Sequence, residues 1–184
     1  MPSEPERRRV FFALDPPAGV RRALARAGRA LGWPGRAISD ERLHLTLVFV
    51  GDATAGDIEA LLAHGEATPL PPMDLVIDRG GAFPRARVGW LGSEAPPAAL
   101  LAFREALFGR LDVAGLHRDR RAWTPHVTVY RDLRSRPATV SIEPVEWPVR
   151  RFALMVSRPV PGGVRYEALH RWNSVAPGKA PEGA

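Results

Sequence analysis

The chain has 184 residues, carries a formal charge of +6 and contains no cysteine. That length suits one domain with a sizeable apolar interior, and the lack of cysteine excludes disulfides, thiolate nucleophiles and Cys-ligated zinc. The cations are almost all arginines, since Lys179 is the only lysine. Arginine presents a planar fork of donors that matches phosphate, so the excess charge favours an anionic partner.

No segment of the sequence is predicted to be a targeting signal or a membrane span. Arginines at 7–9 precede the apolar run 10–14, but Asp15 and Pro16 end that run. A signal peptide needs roughly 7–15 apolar residues and a membrane helix about 20. We therefore expect a monomeric cytoplasmic protein without a membrane partner.

The first half of the chain predicts a strand, a helix, a second strand and a second helix. The prolines at 16–17 allow the first helix to begin, and its arginines, Arg21 among them, are predicted to form a basic outer face. Thr54 is placed to cap the second helix, which runs to about Ala67. The predicted ranges are strand 10–14, helix 20–31, strand 43–50 and helix 54–67.

The second half predicts one more helix and several strands. A turn at Gly80-Gly81 separates two of these strands. The predicted ranges are strands 75–77 and 87–91, a helix from Pro96 to about Gly109, a basic connection at 111–122, and strands 126–130, 140–142, 152–156 and 166–172. Because strands and helices do not alternate regularly, the order predicts an α+β fold with mostly antiparallel sheets. We expect one two-lobed domain over residues 1–175 and a disordered tail at 176–184.

Two predicted strands carry the same His-x-Thr pattern, at His44-Leu45-Thr46 and at His126-Val127-Thr128. Side chains alternate along a strand, so each motif places an imidazole and a hydroxyl on one face, with apolar residues behind. A polar pair repeated on one sheet face suggests a cleft. The repetition also suggests a duplicated lobe.

Two imidazoles and two hydroxyls suit displacement at phosphorus. Histidine titrates near neutral pH, so one ring can accept a proton while the other donates one. The threonine hydroxyls can hydrogen-bond to the non-bridging phosphate oxygens. We therefore predict that His44 and His126 are catalytic, that Thr46 and Thr128 bind phosphate, and that no metal or other cofactor is required.

Other catalytic chemistries find weaker support in the sequence. Catalytic zinc needs about three protein ligands, and the H-E-x-x-H spacing is missing. The nucleophile elbow G-x-S-x-G and the glycine patterns of nucleotide-binding loops are missing as well. His64, His117 and His170 belong to no motif, and we interpret them as surface or structural residues.

The paired motifs resemble those of the two-histidine (2H) phosphoesterase superfamily, in particular the bacterial RNA 2′,3′-cyclic phosphodiesterases, also called 2′-5′ RNA ligases. The resemblance covers most of residues 9–172. It is carried by the segments 9–15, 43–51, 81–85, 88–92 and 123–131. It implies a two-lobed α+β fold with a pseudo-twofold central cleft, and hydrolysis of a 2′,3′-cyclic phosphate at an RNA end to a 2′-phosphate.

The resemblance also implies roles for single residues. His126 would activate water and His44 would protonate the departing 3′ oxygen. Arg131 matches an arginine that follows the second motif, although strict alternation places it on the opposite face unless the strand bends or ends there. Phe11 and Tyr130 could stack on a base. Tyr130 stands where the family has a small residue, and Ala37 where an aromatic often precedes the first motif.

Three alternatives to simple hydrolysis stay open. The chain could be an RNA-end-binding module with little turnover, in which case RNA binding would depend on salt. It could also catalyse the reverse reaction, which is 2′-5′ ligation without ATP. A third alternative is that the substrate is a different cyclic phosphate or a 2′-5′ oligonucleotide.

Overall fold

The computed structural model describes residues 6–116 and 122–175, so the predicted tail at 176–184 lies outside the described residues. The helices are α1 (Ala18–Ala30), α2 (Ala55–Glu66) and α3 (Ala98–Val113), and a short 3₁₀ helix spans Asp40–Arg42. The strands are β1 (Arg8–Leu14), β2 (Arg36–Ala37), β3 (Leu45–Ala53), β4 (Met73–Phe83), β5 (Val88–Gly92), β6 (His126–Arg131), β7 (Val140–Val149), β8 (Arg151–Val160) and β9 (Gly163–Asn173). This arrangement confirms the predicted α+β class.

The strands form one antiparallel sheet with the order β7-β4-β5-β6-β3-β1-β8-β9, and β2 pairs with β6. The sheet has two halves of four strands each, β9-β8-β1-β3 and β7-β4-β5-β6. The halves meet where β3 pairs with β6, at Leu45 and Val127. Each half therefore contributes its His-x-Thr strand to the centre of the sheet.

The helices and most of the apolar core lie on one face of the sheet. Helix α1 packs on β5, β6 and β7, whereas α2 and α3 pack on the other half. Helix α2 begins as predicted, because the Thr54 hydroxyl accepts from the Asp57 amide while the Asp57 carboxylate accepts from the Thr54 amide. The three helices cover the core face and leave the opposite face of the central strands open. None of the helices in the described part of the chain is long and apolar enough to cross a membrane.

The prediction of a turn at Gly80-Gly81 is wrong. Both glycines lie inside β4, and the turn to β5 occurs at residues 84–87. A side chain at Gly81 would overlap with the indole of Trp90, which lies across it from the neighbouring strand. The glycine pair therefore makes room for an aromatic ring instead of reversing the chain.

The ends of several helices and strands also differ from the predicted ones. Helix α3 begins at Ala98 and continues past Gly109 to Val113, since a single glycine weakens a helix without ending it. Strands β7, β8 and β9 extend beyond the predicted ranges because each pairs with a neighbour along its length. Part of the predicted connection at 111–122 lies outside the described residues.

Candidate active site

The two His-x-Thr motifs meet at the centre of the sheet. Leu45 pairs with Val127 in antiparallel register, so counting along the strands places His44 opposite Thr128 and Thr46 opposite His126. All four polar side chains line one cleft with a volume of about 1210 Å³. The two histidines are diagonal neighbours, and diagonal positions in an antiparallel pair are about 7–8 Å apart. That separation leaves room for a phosphate between the rings.

A backbone hydrogen bond fixes the tautomer of each imidazole. His44 Nδ1 lies 2.7 Å from the carbonyl oxygen of Arg42, and His126 Nδ1 lies 2.7 Å from that of Thr124. A carbonyl only accepts, so Nδ1 carries the hydrogen in both rings and the Nε2 lone pair is available. His44 Nε2 can accept from the Thr46 hydroxyl at 3.1 Å.

Burial lowers the pKa of both imidazoles and so favours their neutral form in the free protein. Loss of solvation lowers the pKa of His44 to about 4, against the bond to the Arg42 carbonyl, which raises it. Repulsion from the protonated form of His126 and from the Arg131 and Arg21 guanidiniums lowers the pKa further. Loss of solvation also lowers the pKa of His126, and Arg131 contributes in the same direction. An anion bound between the rings would favour protonation of one of them.

Aromatic rings support the two imidazoles from opposite sides of the cleft. Phe11 and Tyr166 lie 4.9 and 5.0 Å from the His44 ring, and Phe83 lies 4.9 Å from the His126 ring. Phe11 is only 4% exposed. Its ring packs against His44 and Tyr166, which leaves little surface for a nucleobase. In the structure, Phe11 therefore contacts the ring of His44, which is predicted to be catalytic.

Arg131 lines the cleft because strand β6 contains a β-bulge. Two adjacent residues of β5 pair with Thr128 and Tyr130, so Val129 is an extra residue in β6. Val129 and Tyr130 are both buried on the core side, and alternation then resumes with Arg131 on the cleft side. Strict alternation across the bulge therefore predicted the wrong face for Arg131. Tyr130, at 6% exposure, packs in the core and leaves little surface for a nucleobase.

Strand β3 contains the same irregularity. Two adjacent residues of β1 pair with Thr46 and Val48, so Leu47 is the extra residue. Leu47 and Val48 are both buried, and Phe49 returns to the cleft side. Phe49 and Arg131 therefore occupy equivalent positions in the two halves of the site.

Arg21 has a role near the site that the sequence did not reveal. Its guanidinium donates to the carbonyl oxygens of Glu41 and Leu43 at 3.0 and 3.4 Å, and to the carboxylate of Asp15 at 2.6 Å. These carbonyls flank the carbonyl of Arg42 that holds His44. The prediction of an outer-face position for Arg21 is wrong, because helical spacing cannot show that a distant loop covers this arginine.

Asp15 is the second unpredicted residue of this network. It is 5% exposed, and its carboxylate also meets Arg171 at 3.0 Å and Arg151 at 3.6 Å. Three guanidiniums compensate the buried charge. The available sequence signal is an aspartate that directly follows a buried strand, which in the sequence alone indicates only the end of an apolar run.

Trp123 connects the two halves of the site. It precedes the second motif, and its indole Nε1 donates to the carbonyl oxygen of Thr46 in the first motif at 2.9 Å. The Arg104 guanidinium lies 5.3 Å from the Trp123 ring, and its Nε donates to the Leu47 carbonyl at 3.4 Å. These contacts hold the segment that precedes the second motif against strand β3, which carries the first motif.

The cleft is strongly basic. Among the described residues that line it, seven are arginines and none is aspartate or glutamate: Arg9, Arg36, Arg42, Arg85, Arg104, Arg131 and Arg136. The described parts of the chain also contain no group of three or more His, Asp or Glu side chains arranged to hold a metal ion. Electrostatics therefore favour a negatively charged ligand between the histidines.

A two-lobed sheet with paired His-x-Thr strands and a basic cleft defines a class of phosphoesterases. Residues 16–160 match the 2′-5′ RNA ligase superfamily. The chain belongs to this superfamily.

Proteins of known identity agree with that assignment. The chain is 34% identical to an RNA 2′,3′-cyclic phosphodiesterase of Escherichia coli over 92% of its length and 97% of the relative. It is 31% identical to a protein of the same name from Thermus thermophilus, over 95% and 99% of the two chains. The crystal structure of E. coli LigT complexed with 3′-AMP superposes with a TM-score of 0.81 at 34% identity, covering 92% of this chain and 99% of that one.

Proposed function

We propose that this protein is an RNA 2′,3′-cyclic phosphodiesterase that hydrolyses a terminal 2′,3′-cyclic phosphate to a 2′-phosphate. The observation that carries the proposal is the direct pairing of Leu45 with Val127, which presents two imidazoles and two hydroxyls to one cleft. The similarity to an RNA 2′,3′-cyclic phosphodiesterase of E. coli, at 34% identity over most of the chain, supports the choice of substrate.

The proposed reaction uses each histidine once. His126 Nε2 takes a proton from a water molecule as the water oxygen forms a bond to phosphorus. The bond between phosphorus and the 3′ oxygen breaks, and protonated His44 delivers its Nε2 proton to that oxygen. Exchange with solvent then returns the proton from His126 and restores the one on His44. Each proton transfer is typically worth about 10²–10⁴-fold in rate.

The remaining cleft residues would stabilise charge. The hydroxyls of Thr46 and Thr128 stand diagonally across the phosphate position and can donate to its non-bridging oxygens. Arg131 lines the cleft on the same face as Thr128 and can donate two parallel hydrogen bonds to the phosphate. The negative phosphate also raises the pKa of a neighbouring imidazole, which allows His44 to act as an acid although burial lowers its pKa in the free protein.

The proposal is tested with an oligoribonucleotide that ends in a 2′,3′-cyclic phosphate, incubated with the protein in EDTA. We expect a 2′-phosphate product from the wild-type protein and none from His44→Ala or His126→Ala. A 3′-phosphate product would contradict the proposed leaving group. RNA binding without any product at high protein concentration would favour the alternative of an RNA-end-binding module.

The same groups can catalyse 2′-5′ ligation, in which the 5′-hydroxyl of a second RNA takes the place of water. Its oxygen bonds to phosphorus as the bond to the 3′ oxygen breaks, which leaves a 2′-5′ phosphodiester and a 3′-hydroxyl. The superfamily's description as 2′-5′ RNA ligases supports that possibility. The proposal also includes a monomeric cytoplasmic protein, because one chain supplies both histidines and the proposed substrate is RNA. Gel filtration and cell fractionation test these two points.

A further inference from the structure

The arginines of the cleft are unevenly distributed between its two ends. Strands β3 and β6 run in opposite directions from the Leu45–Val127 pair. Strand β6 therefore leads to Arg131 at one end, whereas β3 leads to Phe49 at the other. Adjacent strand residues are about 3.3 Å apart, so each end begins roughly 10 Å from its threonine.

The Arg131 end, which we call the basic end, combines guanidiniums from separate segments. Arg36 lies on β2 directly beside Arg131. Arg85 lies on the turn between β4 and β5, and Arg136 lies on the loop after β6. The Arg87 side chain holds this loop to the turn by donating to the Leu133 carbonyl at 3.0 Å.

Among the described residues, most guanidiniums at the basic end have no carboxylate partner. Arg36 pairs with Asp132 at 3.2 Å. Arg85, Arg131 and Arg136 are exposed, and no carboxylate in residues 6–116 or 122–175 pairs with them. Like charges held together without compensation repel one another, so this surface gains free energy when polyanion phosphates bind.

The opposite end is aromatic. Phe49 stands there in the place of Arg131, and the Arg9 guanidinium already lies over its ring at 4.9 Å. Tyr166 and Phe11 pack beside it. This end offers apolar and aromatic surface, and its Arg9 guanidinium is already stacked on a ring.

We infer that an RNA chain leaves the site through the basic end, where Arg85 and Arg136 bind the phosphates that precede the terminal nucleotide. The inference rests on the proposed function, because a cyclic phosphate at a 3′ end fixes one nucleotide between the histidines. The rest of the strand must then leave the cleft in one direction. At the Arg131 end of the described cleft, Arg85, Arg131 and Arg136 lie together and can serve consecutive phosphates, whereas Arg9 at the other end is stacked on Phe49.

The test compares two substrates in a double variant, Arg85→Gln with Arg136→Gln. One substrate is a nucleoside 2′,3′-cyclic monophosphate, and the other is a short oligoribonucleotide with the same terminal nucleotide and a 2′,3′-cyclic phosphate. The matched control is Arg22→Gln with Arg26→Gln, which removes the same charge from exposed positions on α1 outside the cleft. Initial rates give kcat/KM for both substrates across a salt series.

We expect the double variant to lose about tenfold or more in kcat/KM on the oligoribonucleotide, and clearly less on the mononucleotide. The slope of log kcat/KM against log salt for the oligoribonucleotide should fall by about 1.4, since each phosphate contact to a single strand contributes about 0.7. The control variant should change neither the ratio of the kcat/KM values for the two substrates nor the slope of log kcat/KM against log salt.

Two results would overturn the inference. Equal losses on both substrates would mean that Arg85 and Arg136 serve the reacting phosphate itself, and no loss on the oligoribonucleotide would mean that the chain leaves elsewhere. If the wild-type protein hydrolyses neither substrate, the proposed function fails. The exit direction is then tested by fluorescence anisotropy with a labelled single-stranded RNA, where unchanged affinity in the double variant again overturns it.

Discussion

The two halves of the cleft share a backbone and differ in their side chains. In both, a carbonyl two residues before the histidine accepts from Nδ1, and a β-bulge follows the threonine. After the bulge, one half presents Phe49 and the other Arg131. Repeated backbone geometry thus supplies two similar acid–base groups, while the unlike side chains can give them different tasks.

The strands beside the two motifs differ in the same way. Ala13 pairs with Thr46 in one half, and Trp90 pairs with Thr128 in the other. The partner of Ala13 on the next strand is Ala153, whereas the partner of Trp90 is Gly81. An aromatic residue therefore pairs with the threonine of the second motif, and a small residue pairs with that of the first. The backbones of the two halves are similar, but the side chains that form the walls of the cleft differ.

The strongest test of the comparison removes one imidazole at a time. His44→Ala and His126→Ala should each lower kcat by about 10²–10⁴-fold, because each removes one proton transfer. A nucleoside phosphodiester with a p-nitrophenolate leaving group needs no acid, so it should restore much of the rate in His44→Ala and little in His126→Ala. Steady-state kinetics on folded variants, verified by circular dichroism, give both values. Equal rescue of the two variants would contradict the assigned roles.

The residues after the bulges give a second test. Arg131→Gln removes a charged donor to the phosphate, and we expect a loss of about 10- to 100-fold in kcat/KM on a mononucleotide substrate. Phe49→Leu is the matched change in the other half and should cost less than about fivefold, because leucine keeps most of the apolar surface. Measurement of kcat/KM for both variants shows which of the two residues contributes more to the reaction. A larger loss for Phe49→Leu would show that the halves are not divided as proposed.

A third test concerns the loops that hold the histidines. Arg21 binds the carbonyls around Arg42, whereas the second motif is held through the Trp123 indole. Arg21→Gln should lower kcat about tenfold with a smaller change in KM, because a misplaced ring affects the transition state more than binding. The pH–rate profile should also shift, since Arg21 lowers the pKa of His44.

The matched control for this variant is Arg22→Gln, an exposed arginine on the same helix. A general loss of stability without any change in the pH profile would make Arg21 structural only. Arg21→Lys should recover part of the rate, because lysine keeps the charge but not the planar fork.

The sequence predicted the central pair of motifs and the fold class, because both depend on local patterns. The alternation around His44 and His126 was sufficient to place each imidazole with its threonine. The orientation of Arg131 could not be predicted, since the bulge at Val129 is defined by how β6 pairs with β5. A one-residue irregularity reverses every side chain that follows it.

Glycine and arginine gave the least reliable signals. The Gly80-Gly81 pair predicts a turn, although the need for glycine at position 81 comes from Trp90, nine residues further along the chain. Arg21 fits helical periodicity as a solvated residue, and only the tertiary structure shows the loop at 40–43 above it. In both cases the residue's position depends on a contact with a different strand or loop. The local sequence pattern cannot predict such a contact.

The smallest expected effect is a difference in pH-dependent stability between the halves. His44 has a folded pKa of about 4 and an ordinary value of 6.5, so the unfolded chain binds a proton first as the pH falls. The contribution of His44 to stability is therefore unchanged above about pH 6.5 and decreases as the pH falls towards 4. His44→Gln should remove more than about 1 kcal/mol of this decrease, because one pKa unit corresponds to about 1.4 kcal/mol. Urea unfolding at several pH values measures it, and His126→Gln provides the comparison from the other half. If His44→Gln leaves the pH dependence unchanged, folding does not lower the pKa of His44, and burial does not favour its neutral form as argued above.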